Sequence, residues 1–177
     1  MFVLSARHLA VTLLVSGLVA CASPRVQNHP DTTHNPQLTP DAVIMADGYR
    51  LPLTVWSPQG TPVAVVLALH GFNDYRASFE DPAGFLAEHG VTTYAYDQRG
   101  FGETQQRGIW PGSNRMRDDA ATVSRMLCER HPDLPFFILG ESMGGAVVMD
   151  MMQAYPGSCL DGVILVAPAV WGWQTMP

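Results

Sequence analysis

The chain has 177 residues, the length of about one globular domain with a short appendage. With 47% hydrophobic and 15% charged residues it is too apolar and too weakly charged for a disordered chain, and it has ample material for a core. Ten arginines and no lysine face 16 acids, a net charge of −6 that leaves no basic patch for nucleic acid. Three cysteines (Cys21, Cys128, Cys159) match neither a disulfide framework nor a zinc signature, so no metal site is expected.

Arg7 and His8 precede an uncharged run from Leu9 to Ala20, too short to span a bilayer and suited to the hydrophobic region of a signal peptide. The run ends Leu18-Val19-Ala20-Cys21, which resembles the bacterial lipobox. That resemblance implies cleavage before Cys21 and acylation of the cysteine, so that residues 1–20 are a signal peptide and the protein is held on a membrane surface without spanning it. Ala22 after the cysteine, in place of Asp, points to the outer membrane on its periplasmic side. The plainer alternatives are an ordinary secretory signal cut nearby or an uncleaved apolar start. Residues 21–41 then read as the lipidated N-terminus and a flexible tether, because Pro24, Pro30, Pro36 and Pro40 lie among polar residues with almost nothing to bury. His29 and His34 in this stretch lack convergent partners for a metal.

From residue 42 onward, strand and helix signals alternate. Ala42 to Met45 and Leu51 to Trp56 flank Asp47-Gly48, a hairpin-type turn, and predict an antiparallel pair. Val63 to Leu69 is apolar throughout, the mark of a strand covered on both faces. Asp81 is placed to cap a helix with Pro82 at its first position and Gly90 at its end, after which Val91 to Asp97 is a strand. Met116, Ala120, Val123 and Leu127 share one face of a helix that His131-Pro132 ends. Phe136 to Leu139 is a strand, Ala146 to Tyr155 a helix and Val163 to Val166 a last strand. The class is α/β with a mostly parallel sheet.

Gly140-Glu141-Ser142-Met143-Gly144 fits the G-x-S-x-G nucleophile elbow and falls between a predicted strand and a predicted helix, as that motif requires. A serine on so tight a turn is forced into a strained backbone, and glycines two before and two after it leave room for neighbouring chain. The alternative is a serine capping a helix in a glycine-rich loop.

Two further segments follow apolar strands: His70-Gly71-Phe72-Asn73-Asp74, and Asp97-Gln98-Arg99-Gly100-Phe101-Gly102. With the elbow they resemble the α/β-hydrolase family, and within it the monoacylglycerol lipase and lysophospholipase group, classed with serine aminopeptidase-like hydrolases. The resemblance covers residues 42–177. It implies an α/β-hydrolase fold, Ser142 as nucleophile, and backbone N–H groups of Phe72 and Met143 as oxyanion donors. It also implies a lipid-like ester as substrate and no cofactor. Met143 suits its role physically, because the free N–H groups and positive dipole end of a helix stabilise developing negative charge. The resemblance makes Asp97 a structural residue of a turn, and His70, with Gly71, an organiser of the oxyanion loop. Thr104 stands where relatives commonly have Ser.

In that family the triad order is Ser, then Asp or Glu, then His. After Ser142 only Asp150 and Asp161 follow as acids, and no histidine lies beyond His131. The triad acid and His are therefore absent from these residues, and an apolar last strand would be left as an open sheet edge. The expectation is the N-terminal part of a longer hydrolase, truncated after about the sixth strand and inert alone. Trp171, Trp173 and Met176 read as core with an acyl site as the alternative. Cys128 and Cys159 would lie on one face of the family fold; two separate buried thiols are the preferred reading and a disulfide the other. The rival functional readings are a serine peptidase of the same fold, a non-catalytic envelope lipoprotein, and a nucleotide-binding protein, for which the His70 to Asp74 loop is too poor in glycine.

Overall fold

The computed structural model describes residues 25–28, 30 and 34–170. Cys21, His29, Trp171, Trp173 and Met176 lie outside the described residues. Seven strands form one mixed sheet in the order β1-β2-β3-β5-β4-β6-β7. β1 (Gln37–Leu38), β2 (Ala42–Ile44) and β3 (Arg50–Trp56) run antiparallel, with Val43 opposite Leu51. Asp47-Gly48 makes the predicted turn: Gly48 has φ +75°, its N–H donates to the Met45 carbonyl at 2.9 Å, and the Tyr49 carbonyl accepts from Met45 N–H at 2.9 Å. β3 pairs antiparallel with β5 (Val91–Tyr96), while β4 (Ala64–Leu69), β6 (Phe136–Glu141) and β7 (Gly162–Val166) join β5 in a parallel block. The apolar run of β4 has its cause here. The strand lies between β5 and β6, and Val65 to Leu69 are all buried.

Among the described residues three helices cover the sheet: α1 (Glu80–Glu88), α2 (Ser113–Arg130) and α3 (Met143–Ala154). Met116, Ala120, Val123 and Leu127 are buried on α2 as their spacing predicts, and they pack with Val148 and Met151 of α3 against Leu67, Phe136 and Ile138 of the sheet. Each of the Val, Leu, Ile, Met and Phe side chains among them contributes about 1.5–3 kcal/mol when fully buried, and Ala120 less. Among the described residues no helix is long and apolar enough to cross a membrane.

Four expectations need correction. A 3₁₀ turn over Arg76–Phe79 feeds directly into α1, so the helix starts at Glu80. Asp81 therefore sits in its first turn, facing the helix dipole, and does not cap it. α3 begins at Met143, three residues before Ala146, because Gly144 and Gly145, poor helix formers alone, are required by the close packing described below. Cys128 and Cys159 are a disulfide with Cα atoms 6.4 Å apart, and Cys159 is exposed, so the reading of two buried thiols is wrong. Finally, pieces of the stretch read as tether are placed on the body. Leu38 pairs with Val43 in β1–β2, Val26 makes a bridge to Trp110, and Gln27 is buried with its side-chain amide donating to the Ile109 carbonyl at 2.9 Å. Polar residues could dock there because the 109–110 backbone offers free ladder groups that sequence does not reveal.

Among the described residues β7 is bonded to β6 on one side only, and its Val163, Ile164, Leu165 and Val166 are exposed.

Candidate active site

Ser142 occupies the tight passage from β6 to α3 with φ +50° and ψ −112°, a region that side chains other than glycine rarely adopt. The turn is over-determined. Ser142 N–H donates to the Val166 carbonyl at 2.9 Å, and the Ser142 carbonyl accepts from Ala146 N–H at 3.1 Å and Ala169 N–H at 2.9 Å. The flanking glycines are forced by contact. A Cβ on Gly140 would stand 2.6 Å from the Gly144 carbonyl oxygen, and one on Gly144 would stand 2.2 Å from the Leu69 carbonyl oxygen. The elbow is thereby pressed against the end of β4, where the His70-Gly71-Phe72 loop begins. A Cβ on Gly71 would lie 3.5 Å from that of Ser142. Among the described residues the Ser142 hydroxyl has no hydrogen-bond partner, and neither does the backbone N–H of Phe72 or of Met143.

His70 is fully buried and both ring nitrogens are engaged: Nδ1 lies 2.8 Å from the Gly71 carbonyl and Nε2 accepts from Gln98 N–H at 3.0 Å. That pairing assigns a neutral ring with the proton on Nδ1. Burial holds its pKa below the ordinary value, in agreement with that state. Gln98 completes the clamp, its side-chain amide donating to the His70 carbonyl at 2.8 Å. Sequence reasoning missed Gln98; only the β4–β5 crossover brings it beside residue 70. His89 and His131 sit just past the ends of α1 and α2, with their rings on the Phe85 carbonyl and the Tyr94 hydroxyl. None of these histidines bonds to Ser142.

Asp97 is spent on tying its own turn to the 3₁₀ turn at Arg76. Its carboxylate accepts Arg76 N–H at 2.8 Å, Glu103 N–H at 2.7 Å and the Arg76 guanidinium at 2.5 Å. Gly102 must lack a side chain, since a Cβ there would stand 2.1 Å from the Asp97 carboxylate. Thr104 keeps its hydroxyl on the Phe101 carbonyl at 2.7 Å.

Beneath this turn Arg99 is buried in a bed of charge. It grips Asp47 through both terminal nitrogens, at 2.8 and 2.9 Å, and Asp119 through Nε and Nη2, at 2.5 and 3.1 Å. Its guanidinium also stacks 4.1 Å from the centre of the Tyr49 ring. Burial pushes the Asp119 carboxyl up to about 6 against the pull of Arg99. At Asp47 burial also raises the pKa, but the Arg99 fork, Tyr49 N–H and Arg115 outweigh it and leave the group below its usual range. A cavity of about 850 Å³ borders this bed along α2 and includes no elbow residue. A smaller one of about 210 Å³ is lined by Phe72, Tyr75, Phe101, Arg107 and Trp110 and adjoins the oxyanion loop.

A strained serine between a parallel strand and a helix, inside this strand order, defines the α/β-hydrolase fold. The chain belongs to the Hydrolase_4 family, serine aminopeptidase S33, whose pattern matches residues 60–177. Among characterised relatives, monoacylglycerol lipase of Mycolicibacterium smegmatis is 31% identical over 124 residues, 70% of this chain and 44% of its own length. Human monoglyceride lipase is 28% identical over 145 residues, 77% of this chain and 48% of its own. A thermostable carboxyl esterase from Bacillus coagulans, solved in complex with glycerol, superposes with a TM-score of 0.60 at 27% identity, covering 66% of this chain and 39% of the esterase. The chain thus spans about half the length, or less, of the relatives it matches.

Proposed function

We propose that the protein is a serine hydrolase of carboxylic esters, acting on monoacylglycerol- or lysophospholipid-like lipids. The observation that carries this is Ser142 held at φ +50° beside two backbone N–H groups, of Phe72 and Met143, that have no other partner among the described residues. Ser142 Oγ attacks the ester carbonyl carbon and its proton passes to a general base. The carbonyl oxygen takes up negative charge that the two N–H groups stabilise, and the base gives its proton to the alcohol oxygen as the C–O bond breaks to leave an acyl-enzyme. Water then attacks the acyl carbon, its proton passing through the base to Ser142 Oγ as the acyl–serine bond breaks and the acid is released. Two such donors are worth about 3–4 kcal/mol each when removed from comparable sites. His70 cannot serve as the base, since both nitrogens are committed to shaping the loop. The activity is therefore proposed for a protein that joins these residues to a general base and its orienting acid. The lipid substrate rests on the relatives being monoacylglycerol and monoglyceride lipases.

We further propose that Cys21 is acylated and holds the protein in the cell envelope, at the periplasmic face of the outer membrane, with residues 1–20 removed. The mass of the mature N-terminus tests this directly. For the chemistry, a fluorophosphonate probe should label Ser142 in the full-length protein, and Ser142→Ala should abolish both labelling and monoacylglycerol hydrolysis. Hydrolysis that persists in Ser142→Ala would refute the assignment, and an unlabelled parent protein would favour a non-catalytic lipoprotein.

A further inference from the structure

Val26 and Gln27 lie well before residues 60–177, where the family pattern matches, yet both are joined to the loop that leaves β5. The chain runs parallel to that loop at the Val26–Trp110 bridge, and the alternation of an extended segment turns Val26 outward and Gln27 inward. Gln27 is only 4% exposed. Its N–H donates to the Trp110 carbonyl at 3.0 Å, and its side-chain amide donates to the Ile109 carbonyl at 2.9 Å. The amide oxygen has no hydrogen-bond partner among the described residues, so the donated bond to Ile109 is what offsets the desolvation of this buried side chain.

What Gln27 holds is tied in turn to the oxyanion loop. The Ile109 carbonyl oxygen that it grips packs against Gly100, where a Cβ would stand 2.6 Å from that oxygen and 3.3 Å from the Gln27 amide nitrogen. Gly100 has φ +82° and its carbonyl accepts Gly108 N–H at 2.8 Å, which closes the loop on itself at the same point. The next residue, Phe101, is buried, and its ring meets His70 edge-on at 5.7 Å and Phe72 edge-on at 5.5 Å. Those two residues flank Gly71 in the oxyanion loop. Each step from Gln27 through Ile109, Gly100 and Phe101 to Phe72 is a direct contact, and close-packed groups pass a displacement on to their neighbours.

We propose that Gln27 is a positioning residue of the hydrolytic site: it fixes the loop from Gly100 to Trp110 so that Phe101 keeps the Phe72 N–H where the oxyanion develops. Gln27 touches neither Ser142 nor substrate. The proposal rests on the reading of Ser142 as an ester nucleophile, and it makes residues 26–27 a working part of the site where the sequence suggests a spacer. The leverage is large, because a misplacement of about 1 Å can cost on the order of a hundredfold in rate.

The test uses the full-length mature protein, p-nitrophenyl butyrate as a soluble ester and a fluorophosphonate as the probe of Ser142. Gln27→Met keeps the length of the side chain and removes its donor. Its kcat and its labelling rate should each fall on the order of tenfold with KM unchanged, less than the roughly 10²–10³ lost when an oxyanion donor is removed outright. Leu38→Ala controls for stability, since it loosens β1 in the same N-terminal stretch without touching the 109–110 backbone; it should lower the urea midpoint and leave both rates in place. Gln27→Glu adds a signature that lost stability does not produce. Its carboxyl donates to the Ile109 carbonyl only when protonated, so the ratio of its kcat to the parent's should be highest at low pH and drop through a step as pH rises. Rates in Gln27→Met no lower than in Leu38→Ala would overturn the proposal, and so would a Gln27→Glu ratio that is flat with pH. Either result, in a parent whose hydrolysis Ser142→Ala abolishes, leaves the ester assignment standing. A parent that hydrolyses no ester, or whose hydrolysis survives Ser142→Ala, would remove that assignment and the positioning role together.

Discussion

Gly144→Ala puts a methyl group against two successive backbone carbonyls: 2.2 Å from the Leu69 oxygen, 2.6 Å from its carbonyl carbon and 2.8 Å from the His70 oxygen. Leu69 ends β4, which is bonded to β5 on one side and β6 on the other, and His70 follows it directly, so these atoms cannot retreat without disturbing the ladder. Overpacking costs about 1–3 kcal/mol where side chains can adjust, and here the upper end applies, about 3 kcal/mol. Replacing a helical glycine returns about 1 kcal/mol. The net loss of about 2 kcal/mol should lower the urea midpoint by roughly 1 M, for a slope of about 2 kcal/mol/M. Gly84→Ala is the matched control. Gly84 lies within α1 with nothing within 4 Å of a new Cβ, so the same chemical change should stabilise by about 0.5–1 kcal/mol. A Gly144→Ala midpoint equal to or above that of the parent, beside a Gly84→Ala that behaves as stated, would refute the contact argument for the elbow.

Three further outcomes are expected. Asp119 has a higher pKa in the fold, about 6, than its ordinary value of 3.8, so its ionisation costs stability as pH rises through that window. Over that range the parent should lose up to about 3 kcal/mol relative to Asp119→Asn, which urea melts from pH 4 to 7 would read, and a pH-independent difference would contradict it. Reducing the Cys128–Cys159 disulfide, which closes a span of 31 residues, should destabilise by about 3–4 kcal/mol in thermal unfolding with and without reductant; an unmoved Tm would deny it a stabilising role. Gln98→Ala strips the His70 carbonyl and leaves it buried without a partner, a cost of about 1–3 kcal/mol. In the full-length protein it should also slow fluorophosphonate labelling of Ser142 more than an equally destabilising core substitution such as Val123→Ala, and equal rates would reduce Gln98 to a packing residue.

Much of the fold was legible because its causes are local. The unbroken apolar run of β4 and the four-residue stripe of α2 state their burial in the sequence, and Asp47-Gly48 states its turn. The elbow was legible for the same reason, since its glycines are required by contacts within a few residues and one neighbouring strand. The start of α3 was not, because Gly144 and Gly145 lower helix propensity while tertiary contact demands them. Gln27 and Gln98 were missed, and the cysteine pair was placed behind two separate thiols, for a different reason. Their partners lie 82, 28 and 31 residues away, and nothing in residue type alone names a partner across such distances. That the N–H groups of Phe72 and Met143 have no partner among the described residues is likewise a property of the assembled loop and visible only there.

Arg99 joins parts of the chain that fold at different ranges. Its two carboxylate partners lie 52 residues before it and 20 after it, while its own neighbour Gln98 holds the oxyanion loop. Opening the hairpin turn around Asp47 would strand a buried guanidinium, so the hairpin, the start of α2 and the His70 loop should open as one cooperative unit. Amide hydrogens at Tyr49, Gln98 and Asp119 would then exchange with a common free energy, and the nucleophile's surroundings would inherit their rigidity from a turn at the far edge of the sheet.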